Sequence, residues 1–231
     1  MAAEYTVGRR PKAILLNMLE RQLSPIDRLL ISANNALRTV AAPAGRTARP
    51  VPSAGVEEGN LDASARAHAA GLMRVNHAGE IAAQALYQGH AVVARDANLR
   101  AQMKQAADEE FDHLSWCEQR IHELGSEPSR LSPLWYAGAY AIGAASGVIG
   151  DKWSLGFIAE TENQVCAHLE SHLEHLPKDD AKSRAIVETM RDEEAEHGEN
   201  AINAGAASLP PPVVHLMRAT AKIMTKTAYW F

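Results

Sequence analysis

Asp108-Glu109-Glu110-Phe111-Asp112-His113 and Asp192-Glu193-Glu194-Ala195-Glu196-His197 are two copies of one pattern, D-E-E-x-acid-H. Both lie in stretches rich in Ala, Leu, Glu, Gln and Arg without β-branched runs, a composition that favours helix. On a helix, Glu110 and His113 stand at i and i+3, as do Glu194 and His197. That spacing sets a carboxylate and an imidazole on one face, about one turn apart, where both reach a common ion. Each pair also has a glutamate upstream: Glu80 precedes Glu110 by 30 residues, and Glu162 precedes Glu194 by 32. The chain therefore offers Glu, then Glu-x-x-His, twice over. Four-helix bundles that hold two metal ions use this ligand count, with one Glu from each of two helices and a Glu-x-x-His from each of the other two. A single Glu-x-x-His would read as a solvated helix face; two, in the same context and with matched upstream glutamates, read as a metal centre.

The residue types suit iron. Carboxylates are hard anionic donors that stabilise the ferric state and bridge two ions, and each imidazole adds a neutral ligand. Four carboxylates balance two ferrous ions, which matters because uncompensated charge inside a bundle is costly. The same ligands accept manganese. Glu109, Glu193, Asp112 and Glu196 read as non-ligands, either solvated or acting as acceptors that orient the ligating imidazoles. His168, His172 and His175 form a second cluster at i, i+4 and i+7. The last two read as an exposed or partly buried polar face. His168, two turns from Glu162, is a candidate catalytic residue near the metals or substrate.

The spacing of turn signals predicts helices over 23–40, 62–95, 98–124, 133–149, 151–176, 179–204 and 213–229. Asp62 or Ser64 caps the second of these. Gly125, Pro128 and Pro177 supply stops, and Pro210-Pro211-Pro212 separates the last two helices. No stretch alternates as a strand does, so the fold class is all-α. The organisation we read is an N-terminal extension and short helix (1–40), a Pro/Gly/Ala-rich flexible linker (41–60), and a ferritin-like domain (61–231) with apolar helices added to its four-helix di-iron bundle.

The formal net charge of −5 and the lack of a basic stripe argue against nucleic acid as a partner. Cys117 and Cys166 form no C-x-x-C pair and read as buried filler in a reducing compartment. The N-terminus lacks the uninterrupted apolar run of a signal peptide, and the chain starts at Met1 or Met18. Residues 131–150 carry no charge but many small side chains. They read as a helix inserted at a membrane surface or lining a channel, or as one buried in the bundle or a dimer contact. Residues 213–231 mix apolar and aromatic side chains with Arg218, Lys222 and Lys226, which suits an interfacial helix or ordinary packing on the bundle.

Arg74-Val75-Asn76-His77-Ala78-Gly79-Glu80 resembles a signature of the demethoxyubiquinone hydroxylases of ubiquinone biosynthesis. The resemblance continues in Ala85 to Gly89, Glu110 to Leu114, Pro133-Leu134-Trp135 and Arg191 to His197, and covers roughly 61–231. Ser24 to Arg28 resembles the start of bacterial members, which points to Met18 as the start. Carried over residue by residue, it implies iron ligands Glu80, Glu110, His113, Glu162, Glu194 and His197. His168 matches a family histidine near the substrate, but Leu169 stands where some members have tyrosine.

The implied activity is that of a monooxygenase. It would use two iron ions per chain, dioxygen as co-substrate, and two electrons from NADH or another reductant to hydroxylate a polyprenyl demethoxy-quinol. Its setting would be peripheral, on the cytoplasmic face of the bacterial inner membrane, with room for a homo-oligomer and for partners from a ubiquinone-synthesis complex. No dinucleotide fingerprint or iron–sulfur motif occurs, so the reductant must bind transiently. A ferroxidase or storage protein and a non-catalytic scaffold are the competing classes.

Overall fold

The computed structural model of the chain describes residues 24–41 and 49–231, and every regular element among them is a helix. The choice between Met1 and Met18, the leader question and part of the 41–60 linker lie outside the described residues. The helices are α1 Pro25–Ala41, α2 Ala63–Val93, α3 Ala97–Glu123, α4 Ser132–Ile149, α5 Asp151–His175, α6 Ala181–Asn203 and α7 Pro211–Ala228. The described residues up to Asn34 form a separate unit from Asn35–Phe231. In the first, Ser24 and Asp27 exchange cap hydrogen bonds at the start of α1.

The ends of the long helices follow local chemistry. Asp62 accepts from Ala65 N at 2.8 Å, Asp96 from Leu99 N at 2.8 Å, and Asp180 from Ser183 N at 3.0 Å, each satisfying a free N–H of a first turn. Gly125 (φ +76°) ends α3 and Gly205 (φ +98°) ends α6 in the same way. The glycine N–H bonds His122 O or Ile202 O, and the next N–H reaches back to Ile121 O or Ala201 O. That paired closure needs a residue at positive φ. The proline run behaves differently from its reading as a separator. Pro211 and Pro212 occupy the first turn of α7, where no N–H is required and the fixed φ suits the helix.

α2 pairs with α3, and α5 with α6, to give the four-helix bundle; α4 makes the crossover and lies along α2, and α7 packs on α2. Three core groups matter for the site. At one end Met73, Trp116, Ile121, Leu169, Ile186 and Met190 pack together. At the other, Tyr87, Leu99, Met103, Leu155 and Ile158 do so. Because the helices run antiparallel, positions 80, 110, 113, 162, 194 and 197 fall between these two apolar layers. Ile81, Ala85, Leu114 and Tyr136 join α4 to this body. Cys117 is buried and Cys166 half-buried; both are free thiols.

α4 buries Tyr136, Ala139, Gly143, Ser146 and Gly147 and leaves Leu134, Ile142, Val148 and Ile149 exposed. Its approach to α2 depends on two glycines facing backbone. A Cβ on Gly89 would lie 2.4 Å from Tyr140 O, and one on Gly143 2.5 Å from Leu86 O. Backbone cannot swing aside as a side-chain tip can. Gly89→Ala is therefore expected to destabilise the fold by about 1–3 kcal/mol, the usual range for overpacking. Urea unfolding reads this, and an unchanged midpoint would show that the helices separate freely.

No described helix is long and apolar enough to cross a membrane. The described part of the segment read as a linker, 49–60, is held to the bundle. Ser53 is buried, Val51 packs on the core, and Arg49 and Glu58 make ion pairs with α3.

Candidate metal centre

Glu80 comes from α2, Glu110 and His113 from α3, Glu162 from α5, and Glu194 and His197 from α6. The five besides His197 are each at most 2% exposed, and the His197 side chain 10%. One potential ligand atom from each of Glu80, Glu110, His113 and Glu194 lies within 4.8 Å of the others. Both Nδ1 atoms point into this group. His113 Nδ1 is 3.2 Å from Glu110 Oε2, 2.9 Å from Glu194 Oε1 and 3.7 Å from Glu80 Oε2. His197 Nδ1 is 3.0 Å from Glu110 Oε1 and 3.3 Å from Glu194 Oε2. The imidazole centroids stand 6.3 Å apart.

Glu110 and Glu194 thus each present one oxygen to either imidazole, as bridging carboxylates do, while Glu80 faces His113. Glu162 stands beside the second motif. A side chain on Gly198 would meet its Cβ at 3.4 Å, and its carboxylate feels the charges of Glu194, Glu110 and His197.

The electrostatics are those of a cluster arranged for cations. Burial, with the neighbouring carboxylates Glu110 and Glu194, pushes Glu80 and Glu162 well above the usual carboxylate range. Burial would also raise Glu110, but hydrogen bonds from His113 and His197 outweigh it and hold Glu110 low. The histidines mirror this. Burial works to lower both, yet the carboxylates around them keep His113 well above its ordinary value and raise His197 to about 12. Protons on these groups thus offset the buried negative charge. Even so, Glu80 Oε2 and Glu162 Oε2 have no hydrogen-bond donor among the described residues. A buried acceptor left that way carries a desolvation penalty that a bound cation removes. Four carboxylates, two imidazoles and two orphaned oxygens fit a pair of divalent ions.

The outward nitrogens are also held. His113 Nε2 lies 2.7 Å from Glu193 Oε2, and His197 Nε2 lies 3.0 Å from Glu109 Oε2. The acidic residue before each ligand glutamate therefore orients the imidazole of the other motif. Of the two options for Glu109 and Glu193, this is the orienting one. Asp112 takes a different partner, Arg49.

Sequence reasoning missed Arg49, which lies in the segment read as linker. It also passed over Tyr87, whose hydroxyl donates to Glu162 Oε1 at 2.8 Å. A signal existed for Tyr87, since it stands seven residues after Glu80 and so on the same helix face. His168 lies against His172 with ring centroids 3.9 Å apart and planes tilted by 59°, and no hydrogen bond or ion pair joins it to the six clustered residues among those described. His172, read as part of an exposed or partly buried face, is 6% exposed, because this side of α5 turns inward.

Beside His197 opens a cleft of about 440 Å³. Tyr87, Leu99, Met103, Leu155 and Ile158 supply its apolar wall, and Glu109 and His197 lie at its polar side.

The family model for the ubiquinone biosynthesis protein COQ7 matches residues 67–228. Among similar proteins, the 3-demethoxyubiquinol 3-hydroxylase of Polynucleobacter necessarius is 55% identical over 208 residues, covering 90% of this chain and 99% of that one. That of Chromobacterium violaceum is 55% identical over 204 residues, 88% of this chain and 98% of its own. That of Dechloromonas aromatica is 54% identical over 209 residues, 90% and 100% respectively.

Proposed function

Since the chain belongs to the COQ7 family of ubiquinone biosynthesis proteins, we propose that it catalyses the reaction its relatives are named for, 3-hydroxylation of a demethoxyubiquinol, with iron in both metal positions. The observation that carries this reading is the pair of carboxylates, Glu110 and Glu194, that each face both His113 and His197.

Glu80 and His113 would hold one ion, Glu162 and His197 the other, and Glu110 and Glu194 both. When bound, the iron pair supplies dioxygen activation. Overall, a ring C–H becomes C–OH, the second oxygen atom leaves as water, and two electrons and two protons are consumed. The protein's own groups set the conditions. Glu109 and Glu193 fix the imidazoles with Nδ1 inward, and Tyr87 anchors Glu162. The apolar layer around Met73, Trp116 and Met190 shields one end of the site from water, while the layer around Tyr87 and Ile158 lines the cleft at the other. The cleft beside His197 is of the size that accepts a small ring. An electron-rich quinol is the better substrate for electrophilic hydroxylation. The two electrons come from NADH or another donor that binds transiently, as the sequence carries no dinucleotide fingerprint or iron–sulfur motif.

A polyprenyl quinol resides in lipid, and we infer peripheral attachment to the cytoplasmic face of the inner membrane. Support comes from α7 and the residues after it, with Leu216, Ile223, Trp230 and Phe231 exposed beside Arg218, Lys222 and Lys226, and from the outer face of α4.

The test is anaerobic reconstitution with ferrous iron, followed by oxygen and a demethoxy-quinol carried in phospholipid vesicles. Two irons per chain by Mössbauer spectroscopy, protein that sediments with the vesicles, and hydroxylated quinol are expected. Folded protein that takes up no iron would sink the metal reading and leave a scaffold role. Iron without product would sink the hydroxylase.

A further inference from the structure

The two motifs repeat in sequence, but their surroundings do not. Glu193 uses one oxygen for His113 and the other, Oε1, for Arg49 Nη1 at 2.7 Å. The same guanidinium reaches Asp112 Oδ2 through Nε at 2.7 Å and lies over the Trp116 ring at 4.8 Å. Trp116 in turn packs against the His113 ring, centroid to centroid 5.4 Å. Arg49 is thus fixed on three sides, and its planar fork suits two carboxylates at once.

Glu109, the counterpart at His197, is 40% exposed against 29% for Glu193, and it lines the cleft. Its partner other than His197 is the neutral amide of Gln105, at 3.0 Å. No guanidinium reaches Glu109 among the described residues.

Resting on the two-metal reading above, we propose that Arg49 is a positioning residue that clamps Glu193 against His113, making the Glu80/His113 position the tighter and more rigid of the two. A carboxylate held from both ends keeps the Nε2–H of His113 engaged, and with it Nδ1 facing the metal. Less ordering is then left to be done when the ion binds. Glu109, more exposed than Glu193 and tied to a neutral amide, leaves His197 freer. The sign of the effect separates this from simple charge. Loss of Arg49 leaves Glu193 and Asp112 with more negative charge near the site, which by Coulomb attraction alone would tighten cation binding. The clamp predicts weakening.

The experiment is an anaerobic titration of the full chain with Co(II), read by its visible d–d bands, for wild type, Arg49→Gln, Arg49→Lys, Glu193→Gln and the Arg49→Gln/Glu193→Gln double variant. Wild type should fill in two steps. Arg49→Gln should weaken the tighter step about tenfold, the low end for loss of an outer orienting partner. The weaker step should stay within about twofold, and helical circular dichroism should be retained. Arg49→Lys should recover part of the loss. In the Glu193→Gln background, Arg49→Gln should add nothing, because the residue acts through that carboxylate.

Binding that is unchanged or tighter in Arg49→Gln would overturn the proposal. So would an equal loss in both backgrounds, which would trace the effect to packing on Trp116. Folded wild type that binds no cobalt would overturn the two-metal reading itself, and this inference with it.

Discussion

Glu110→Ala is expected to empty both metal positions and stop hydroxylation while the helices stay folded. Its oxygens lie 3.2 Å from His113 Nδ1 and 3.0 Å from His197 Nδ1, so its removal takes a donor from each ion at once. Glu80 faces His113 alone, at 3.7 Å. Glu80→Ala should therefore unload one position more than the other. Loss of an outer partner of a metal ligand typically costs 10–100-fold in affinity or activity, so loss of a shared ligand should exceed about 100-fold. The bundle should survive, because the apolar layers on either side of the cluster are untouched. Iron per chain, turnover and circular dichroism decide the matter. Glu110→Ala protein that keeps its full iron content and turns over quinol would show that the carboxylate spanning both imidazoles is not a ligand.

The positions that place this cluster were largely legible before any coordinates. The helix start at Asp62 follows from a side chain that satisfies a free N–H, and the stop at Gly125 from a residue that takes positive φ without a Cβ penalty; such signals are written within a few residues. The two Glu-x-x-His motifs were legible for the same reason, since i and i+3 share a face whatever the tertiary fold. Pairing them with Glu80 and Glu162 needed only that long antiparallel helices keep their register.

What could not be read depends on partners far away in the chain. Arg49 meets Asp112 and Glu193 across 63 and 144 residues, from a stretch whose Pro and Gly content looks like linker. Composition there reports the absence of helix, not the absence of contacts. His172 looked like part of a polar face because periodicity weighs histidine as polar, yet a neutral imidazole is readily buried, and burial holds this one down to about 2. Pro211 and Pro212 stopped the pattern in sequence but start the helix in space, since a first turn does not use their missing N–H.

Arg120→Met is expected to destabilise the fold by about 3–5 kcal/mol, the range for removing one partner of a buried ion pair. Both Arg120 and Asp180 side chains are 0% exposed, and they meet at 2.8 Å. The guanidinium also binds both Glu58 oxygens, at 2.7 and 2.9 Å, Glu123 at 3.0 Å and Ser183 at 2.9 Å. It thus joins the 49–60 segment, α3 and the start of α6. Methionine keeps much of the volume but leaves the buried Asp180 carboxyl without its counter-charge. Glu58 and Glu123, each about a third exposed, can turn to water or to Lys182 and contribute little to the loss.

A second substitution tests whether the stranded charge is the cause. Asp180→Asn on the Arg120→Met background should recover part of the stability, because asparagine still caps α6 through Ser183 N but carries no charge. Urea unfolding of the two variants beside wild type measures both steps. A loss below about 1 kcal/mol in Arg120→Met would mean that water reaches Asp180 as the bundle relaxes. A double variant no more stable than the single would place the loss in the severed link between α3 and the 49–60 segment instead.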